Sequence, residues 1–409
     1  MRARLRELLA DPGVAAVVGL AFLVLLGTGT VLPTLPLFAR SFGVGYGGAG
    51  LLLASFGIAR LITDVAAGLV VDRVGERIAG TSGLLILASS ALATGLAPTF
   101  PAAVVFWGFA GMGSAIVFAA QFSYLLRAVP RRRMARTLSI FYGAFNIGIV
   151  AGGLAGGTVA HAFGLTAPLY LTAALTFLAA ALYLRFVPSP PARERSAETP
   201  AEAEVRMLRQ GRQVIARLLR TPGFAAAMLT NLAYLWVIAA VFNTLVPLFA
   251  RDELGMSPFG IGVIFAVTLA AEFAVLYPAG SAADRRGRKA VLVPSLAALA
   301  GMTVIVGWAG TPVVLALLMA LLGVASGVAG VPPAAILSDV VPEQESGTGV
   351  GAFRFTGDLG FALAPLAVGF AVDPLGFRGA FAIAALPAFL ILLVVLRTGE
   401  TLRPAEAPD

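Results

Sequence analysis

Twelve stretches dominate this sequence, each about as long as a bilayer is thick and nearly free of charge. They fall at 14–38, 47–71, 78–97, 101–127, 137–163, 167–188, 223–250, 257–283, 290–309, 312–338, 348–372 and 377–397. A helix needs about 20 apolar residues to cross the hydrocarbon core. In lipid, every backbone polar group must be paired within the protein, so stretches of this length are helices. Of the 409 residues, 59% are hydrophobic and 12% charged, more apolar surface than a soluble core can bury. The expected class is an all-α membrane protein with twelve transmembrane helices.

Composition narrows the chemistry. With no cysteine and one histidine, His161, thiolate and multi-histidine metal sites are excluded, and no cofactor is expected. No nucleophile–base–orienter set and no phosphate-cradling loop before a helix is present, so the chain does not read as an enzyme. The net charge of +8 sits in loops between apolar stretches, which suits a bilayer with anionic headgroups rather than nucleic acid. Arg2, Arg4 and Arg6 precede an apolar run with no small-residue cleavage site, which reads as a retained first span.

Twelve crossings return the chain to the side on which it started. Loops on that side carry Arg73, Arg77, Arg127, Arg131, Arg132, Arg133, Arg136, the long central run, Arg285, Arg286, Arg288 and Lys289, with 339–346 departing as an acidic loop; those on the other carry Arg40, Arg251 and Arg378. The positive-inside rule then places both termini in the cytoplasm and the chain in the cytoplasmic membrane. Short outer loops are expected at 40–46, 251–257 and 373–378. The polar stretch 189–222 divides an N-terminal bundle, 1–188, from a C-terminal one, 223–409. Within it Val205, Leu208, Ile215 and Leu218 fall on helical spacing among Arg206, Arg209, Arg212, Arg217 and Arg220, a basic amphipathic helix on a linker.

The two halves repeat. Residues 68–77 read G-L-V-V-D-R-V-G-E-R and 280–289 read G-S-A-A-D-R-R-G-R-K. Gly68, Asp72, Arg73 and Gly75 thus recur 212 residues later as Gly280, Asp284, Arg285 and Gly287, while Glu76 and Arg77 face Arg288 and Lys289. Pro36–Arg40 returns letter for letter as Pro247–Arg251, and Gly50, Gly111, Gly157 and Gly164 return as Gly262, Gly323, Gly369 and Gly376. The pentapeptide recurs at 211 residues and the other positions at 212, with one extra residue near Asp252. So many matches in step argue for two six-helix bundles related by an axis along the membrane normal.

The loop pattern resembles the G-x-x-x-D-R-x-G-R-K signature of the major facilitator superfamily, present here in both halves. The first copy departs at Glu76, where a basic residue is usual. The L-G-T-G-T-V-L-P-T-L-P run from Leu26 to Pro36, and Gly143, Gly152 and Gly156 in span 5, are similar to motifs of its twelve-span drug–proton antiporters. The arginine those antiporters carry in span 4 is replaced by Trp107. The resemblance implies the major facilitator fold, alternating access and a small-molecule substrate. It also implies that Asp72 and Asp284 brace helix starts across the cytoplasmic face.

Charges inside spans are costly and therefore informative. Arg60 and Asp64 in span 2, and Arg354 and Asp358 in span 11, are each spaced i,i+4. Their order along the membrane suits an inter-bundle charge cluster, with Asp64 opposite Arg354 and Arg60 opposite Asp358. The alternative keeps each pair within its own helix. Glu272 in span 8 has no charged neighbour in its span and lies roughly 18 Å above Asp284, near the midplane, at about 1.5 Å rise per residue. It leads the candidates for proton coupling, followed by Asp64 and Asp358. Trp107, Phe145, Asn146, Asn231, Tyr234 and Asn243 are candidates for the substrate cavity. Together these features favour a monomeric, proton-coupled exporter of drug-like or amphipathic compounds. A carrier of a polar metabolite, with arginines binding its carboxylate or phosphate, is the alternative; a membrane sensor is a third.

Overall fold

The structure is a computed structural model and describes residues 12–188, 213–342 and 345–400. These residues are helical, without strands, and hold the twelve expected spans. Span 1 is Pro12–Val31 with Leu35–Arg40; spans 2 to 6 are Tyr46–Val74, Glu76–Gly95, Phe100–Ala128, Arg131–Phe163 and Ala167–Phe186. Span 7 runs from Pro222 to Asp252, span 8 is Pro258–Arg286, span 9 Arg288–Val306, and span 10 Pro312–Gly330 with Pro332–Val340. Spans 11 and 12 form one helical run, Ser346–Arg397. The loop expected at 373–378 is reduced to a single non-helical residue, Gly376 at φ 66°.

Prolines explain the other interruptions. Span 1 breaks at Leu32–Thr34, where Pro33 and Pro36 remove helical donors. Span 10 breaks at Val331, just before Pro332 and Pro333. In span 7, Ile238–Leu245 is π-helical, immediately ahead of Pro247. The wider turn absorbs the proline ring's clash with the carbonyl four residues back. Among the described residues, the positive-φ positions are Gly43, Gly75, Gly164, Gly255, Gly287 and Gly376, three pairs each 212 apart. The repeat is thus written in the turns, where only glycine takes that backbone conformation without strain. The central stretch is helical over 213–218, where Arg217 pairs with Glu345. The positions 205–212 of the expected amphipathic helix lie outside the described residues.

The chain forms two compact units. One comprises Met1–Ala192, Phe242–Ala266 and Pro365–Pro374; the other Arg193–Val241, Val267–Ala364 and Leu375–Asp409. In the first, span 4 packs on spans 2 and 3, and span 1 on spans 5 and 6. Glycines set the separation. A Cβ on Gly148 would lie 2.6 Å from the Phe22 carbonyl oxygen, and one on Gly29 2.6 Å from that of Ile149. This unit also holds parts of spans 7, 8 and 11, all at the bundle end distal from the chain termini. There Gly157 of span 5 meets Pro258 and Gly262 of span 8, and Gly50 of span 2 meets Pro365 and Gly369 of span 11. In the second unit, Gly323 and Gly327 lay span 10 on the backbone of span 8, against Thr268 and Glu272. Large apolar side chains left outside, such as Ile62, Leu317 and Tyr277, fit a lipid-facing surface.

Candidate functional site

The second unit buries a carboxylate beside two hydroxyls, those of Tyr234 and Ser326. Glu272, on span 8, is 4% exposed. Its Oε1 accepts from the Tyr234 hydroxyl of span 7 at 2.6 Å, while Oε2 is buried without a hydrogen-bond partner. The Ser326 hydroxyl of span 10 faces the same pair. Small residues on span 10 bring the three helices this close. Gly327 sits on the Glu272 carbonyl, and a Cβ on Gly330 would fall 2.9 Å from the Tyr234 ring. Among the described residues no cation pairs with Glu272. A buried carboxylate with an empty acceptor and no counter-charge is costly to keep ionised, and a proton on Oε2 removes that cost.

The other intramembrane charges sit differently. Arg60 Nε lies 3.8 Å from Asp64 Oδ2 within span 2, each side chain a quarter exposed. Arg354 and Asp358 both lie on span 11, half-buried. Trp107 is buried and packs at a tilt on Phe56, ring centres 5.5 Å apart. Phe145 meets Tyr142 edge-on at 6.3 Å, and Asn146 is half-buried beside it in sequence. Asn231 donates to the Phe353 carbonyl at 2.6 Å and so ties span 7 to span 11. Asn243 is buried within the π-helical turn.

The signature loops carry two ion-pair clusters in which one pair is charge-inverted between the repeats while the loop aspartate keeps its sign. In the second repeat Arg288 pairs with Asp284 and, at 3.1 Å, with Asp339 of span 10. In the first, Glu76 is fully buried; its Oε1 receives Arg127 Nε at 2.9 Å and the Ser123 hydroxyl at 2.8 Å, both from span 4. Arg127 also lies 3.7 Å from Asp72. Glu76 corresponds to Arg288 and Arg127 to Asp339, each 212 residues on, so both signs are exchanged together. The departure of the first loop from the signature is therefore compensated on span 4. The sequence held the signal: two opposite-sign substitutions at one offset. Arg77 Nε donates to the Leu184 carbonyl at 2.9 Å, and Lys289 Nζ to its counterpart Leu396 at 2.9 Å. Glu400 accepts from the backbone N–H groups of Arg288 and Lys289 at 2.9 and 3.0 Å, capping span 9.

The inverted pair gives a direct expectation. Glu76→Ala leaves the Arg127 guanidinium, a third exposed, with Asp72 alone and lowers stability by about 1.5 kcal/mol. The exchange Glu76→Arg with Arg127→Asp rebuilds the arrangement of the second repeat and recovers most of it. Thermal unfolding in detergent reads both; a double variant no more stable than Glu76→Ala rules out the pairing as the cause.

Residues 17–270 and 235–409 match the family model of the Major Facilitator Superfamily. An uncharacterized MFS-type transporter of Methanocaldococcus jannaschii is 20% identical over 378 residues, 91% of this chain and 94% of its own length. Multidrug resistance protein 2 of Bacillus subtilis is 29% identical over 159 residues, 39% of this chain and 40% of its own. Quinolone resistance protein NorA of Staphylococcus aureus is 24% identical over 256 residues, 63% and 62% of the two chains. Among solved structures, the nucleoside transporter NupG superposes with a TM-score of 0.76 at 17% identity, covering 94% of this chain and 98% of that one. The human organic anion transporter MFSD10 gives 0.68 at 16%, covering 94% and 99%.

Proposed function

Since the chain belongs to the Major Facilitator Superfamily, we infer that it is a secondary active transporter that couples proton movement to the export of drug-like or amphipathic small molecules. The observation that carries the coupling is the Glu272–Tyr234 pair: a buried carboxylate, one oxygen held and the other without a partner. Such a group exchanges a proton when a conformational change alters its access to water, because only the neutral form is cheap to bury. Tyr234 holds the carboxylate in one orientation whether or not Oε2 carries the proton.

Export of apolar compounds is supported by the partial likeness to the quinolone and multidrug resistance proteins. It is supported as well by the span-1 run from Leu26 to Pro36 and the aromatic side chains of spans 5 and 7. The test is purified protein in liposomes under an imposed pH gradient, with proton flux recorded across lipophilic cations, fluoroquinolones, sugars, nucleosides and organic anions. The reading expects flux with lipophilic cations or fluoroquinolones. Flux confined to sugars, nucleosides or organic anions overturns the drug-like assignment, and substrate movement indifferent to the gradient overturns coupling.

A further inference from the structure

The repeated pentapeptides Pro36–Arg40 and Pro247–Arg251 have no part in the proton site, yet the fold brings them together. The short helices Leu35–Arg40 and Val246–Asp252 touch at the distal end of the first unit. Beside them opens a cavity of about 260 Å³, lined by Arg40, Arg251, Asp252, Pro258, Ala160 and Leu165. Both arginines face it, one from each half of the chain.

Each guanidinium is already fixed. Arg40 lies over the Tyr46 ring at 4.4 Å and donates through Nη1 to the Val44 carbonyl at 2.6 Å. Arg251 donates through Nη1 to the Met256 carbonyl at 3.2 Å. A guanidinium has five N–H donors in a planar fork, so these bonds leave donors for a third party. Asp252 is the one acid in the lining, and its Oδ2 is held by the Tyr46 hydroxyl at 2.9 Å. The lining therefore keeps a net positive charge in a cavity sized for a small group. Within the lining the two arginines outnumber the one acid, and an added anion supplies the missing negative charge.

We propose that this distal cavity is a binding site for a phosphate-type oxyanion, free or borne on a lipid headgroup, bridged by Arg40 and Arg251. Paired guanidinium forks match the planar edges of an oxyanion better than any other side chains. The exposed rings of Phe163 and Phe259, neighbours in sequence of Leu165 and Pro258, offer apolar surface to a headgroup's chains. A bound anion joins the two repeats where their distal helices meet, and so favours the arrangement in which that end is packed.

Inorganic phosphate is the first probe, on the purified full chain at ionic strength matched with chloride. A single cysteine at Leu165→Cys, in a chain without native cysteines, reports occupancy by its rate of modification. Phosphate slows modification and raises the melting temperature in a saturable way. Arg251→Gln and Arg40→Gln each weaken the effect by at least about tenfold. Asp252→Asn, which removes the one negative charge and keeps an acceptor for Tyr46, strengthens it by about threefold; a purely structural role for the arginines has no such consequence. Protection in lipid nanodiscs without phosphate, lost in lipid-free detergent and in the arginine variants, assigns a headgroup. Protection by phosphate in both media assigns a free anion. No protection in either medium, or protection undiminished in both arginine variants, overturns the site.

Discussion

Glu272→Gln loses substrate movement driven by a pH gradient, by about 100-fold or more, while exchange of substrate at equal pH on both sides stays within about threefold of the parent. The amide keeps the shape of the protonated carboxyl and can still accept from Tyr234, so the packing of spans 7, 8 and 10 is preserved. What it loses is the ability to release a proton. A general fall in both activities would signify damage to the fold instead, and thermal unfolding separates that case. Tyr234→Phe sharpens the assignment. It leaves Glu272 with neither oxygen held by tyrosine and is expected to impair gradient-driven movement less than the glutamine does, since the titrating group remains. Full gradient-driven accumulation by Glu272→Gln removes this residue from the mechanism and directs attention to Asp64 and Asp358.

The span pattern was legible because the bilayer imposes it: length and apolarity decide a crossing. Most helices begin and end within a few residues of the expected stretches, span 5 starting six residues early and spans 11 and 12 running together. What interrupts a span was less legible. Pro36 and Pro247 are repeat mates, yet span 1, with a second proline at Pro33 where span 7 has Thr244, opens into a turn at Leu32–Thr34, while span 7 runs through a π-helical segment. That choice depends on which neighbours can pair the freed backbone groups. At the buried carboxylate, Tyr234 and Glu272 both stand out in the sequence, but for different roles. Their contact depends on how spans 7 and 8 are rotated and on Gly330 leaving space for the ring. Asn231 reads as a buried amide needing a partner, and it has one, but that partner is the Phe353 carbonyl of a neighbouring span. Arg127 looks like one more positive charge in a basic loop. Its pairing with Glu76 can be read only by comparing the two repeats with each other.

The same comparison gives the repeated glycines a meaning that their number alone could not. Gly50 and Gly262 are repeat mates, as are Gly157 and Gly369, and the contacts run crosswise: Gly50 on Gly369, Gly157 on Gly262. A Cβ on Gly157 would stand 2.6 Å from the Pro258 carbonyl oxygen and 2.8 Å from the Gly262 Cα. Both obstacles are backbone, so no side-chain rotation relieves the clash; the helices must separate. Gly157→Leu is therefore expected to keep the distal ends of spans 5 and 8 apart. Transport falls by about 100-fold, since a carrier that cannot close one end cannot alternate. A single cysteine at Ala160, now 4% exposed, becomes accessible and is modified at least about tenfold faster. Gly50→Leu has the same effect at the crossing of spans 2 and 11. Gly143→Ala is the control: a Cβ there would meet nothing within 4 Å, and alanine is the better helix former by roughly 0.5–1 kcal/mol. It leaves transport unchanged and stability equal or higher. If Gly157→Leu and Gly143→Ala behave alike, close helix approach at the distal end has no bearing on transport.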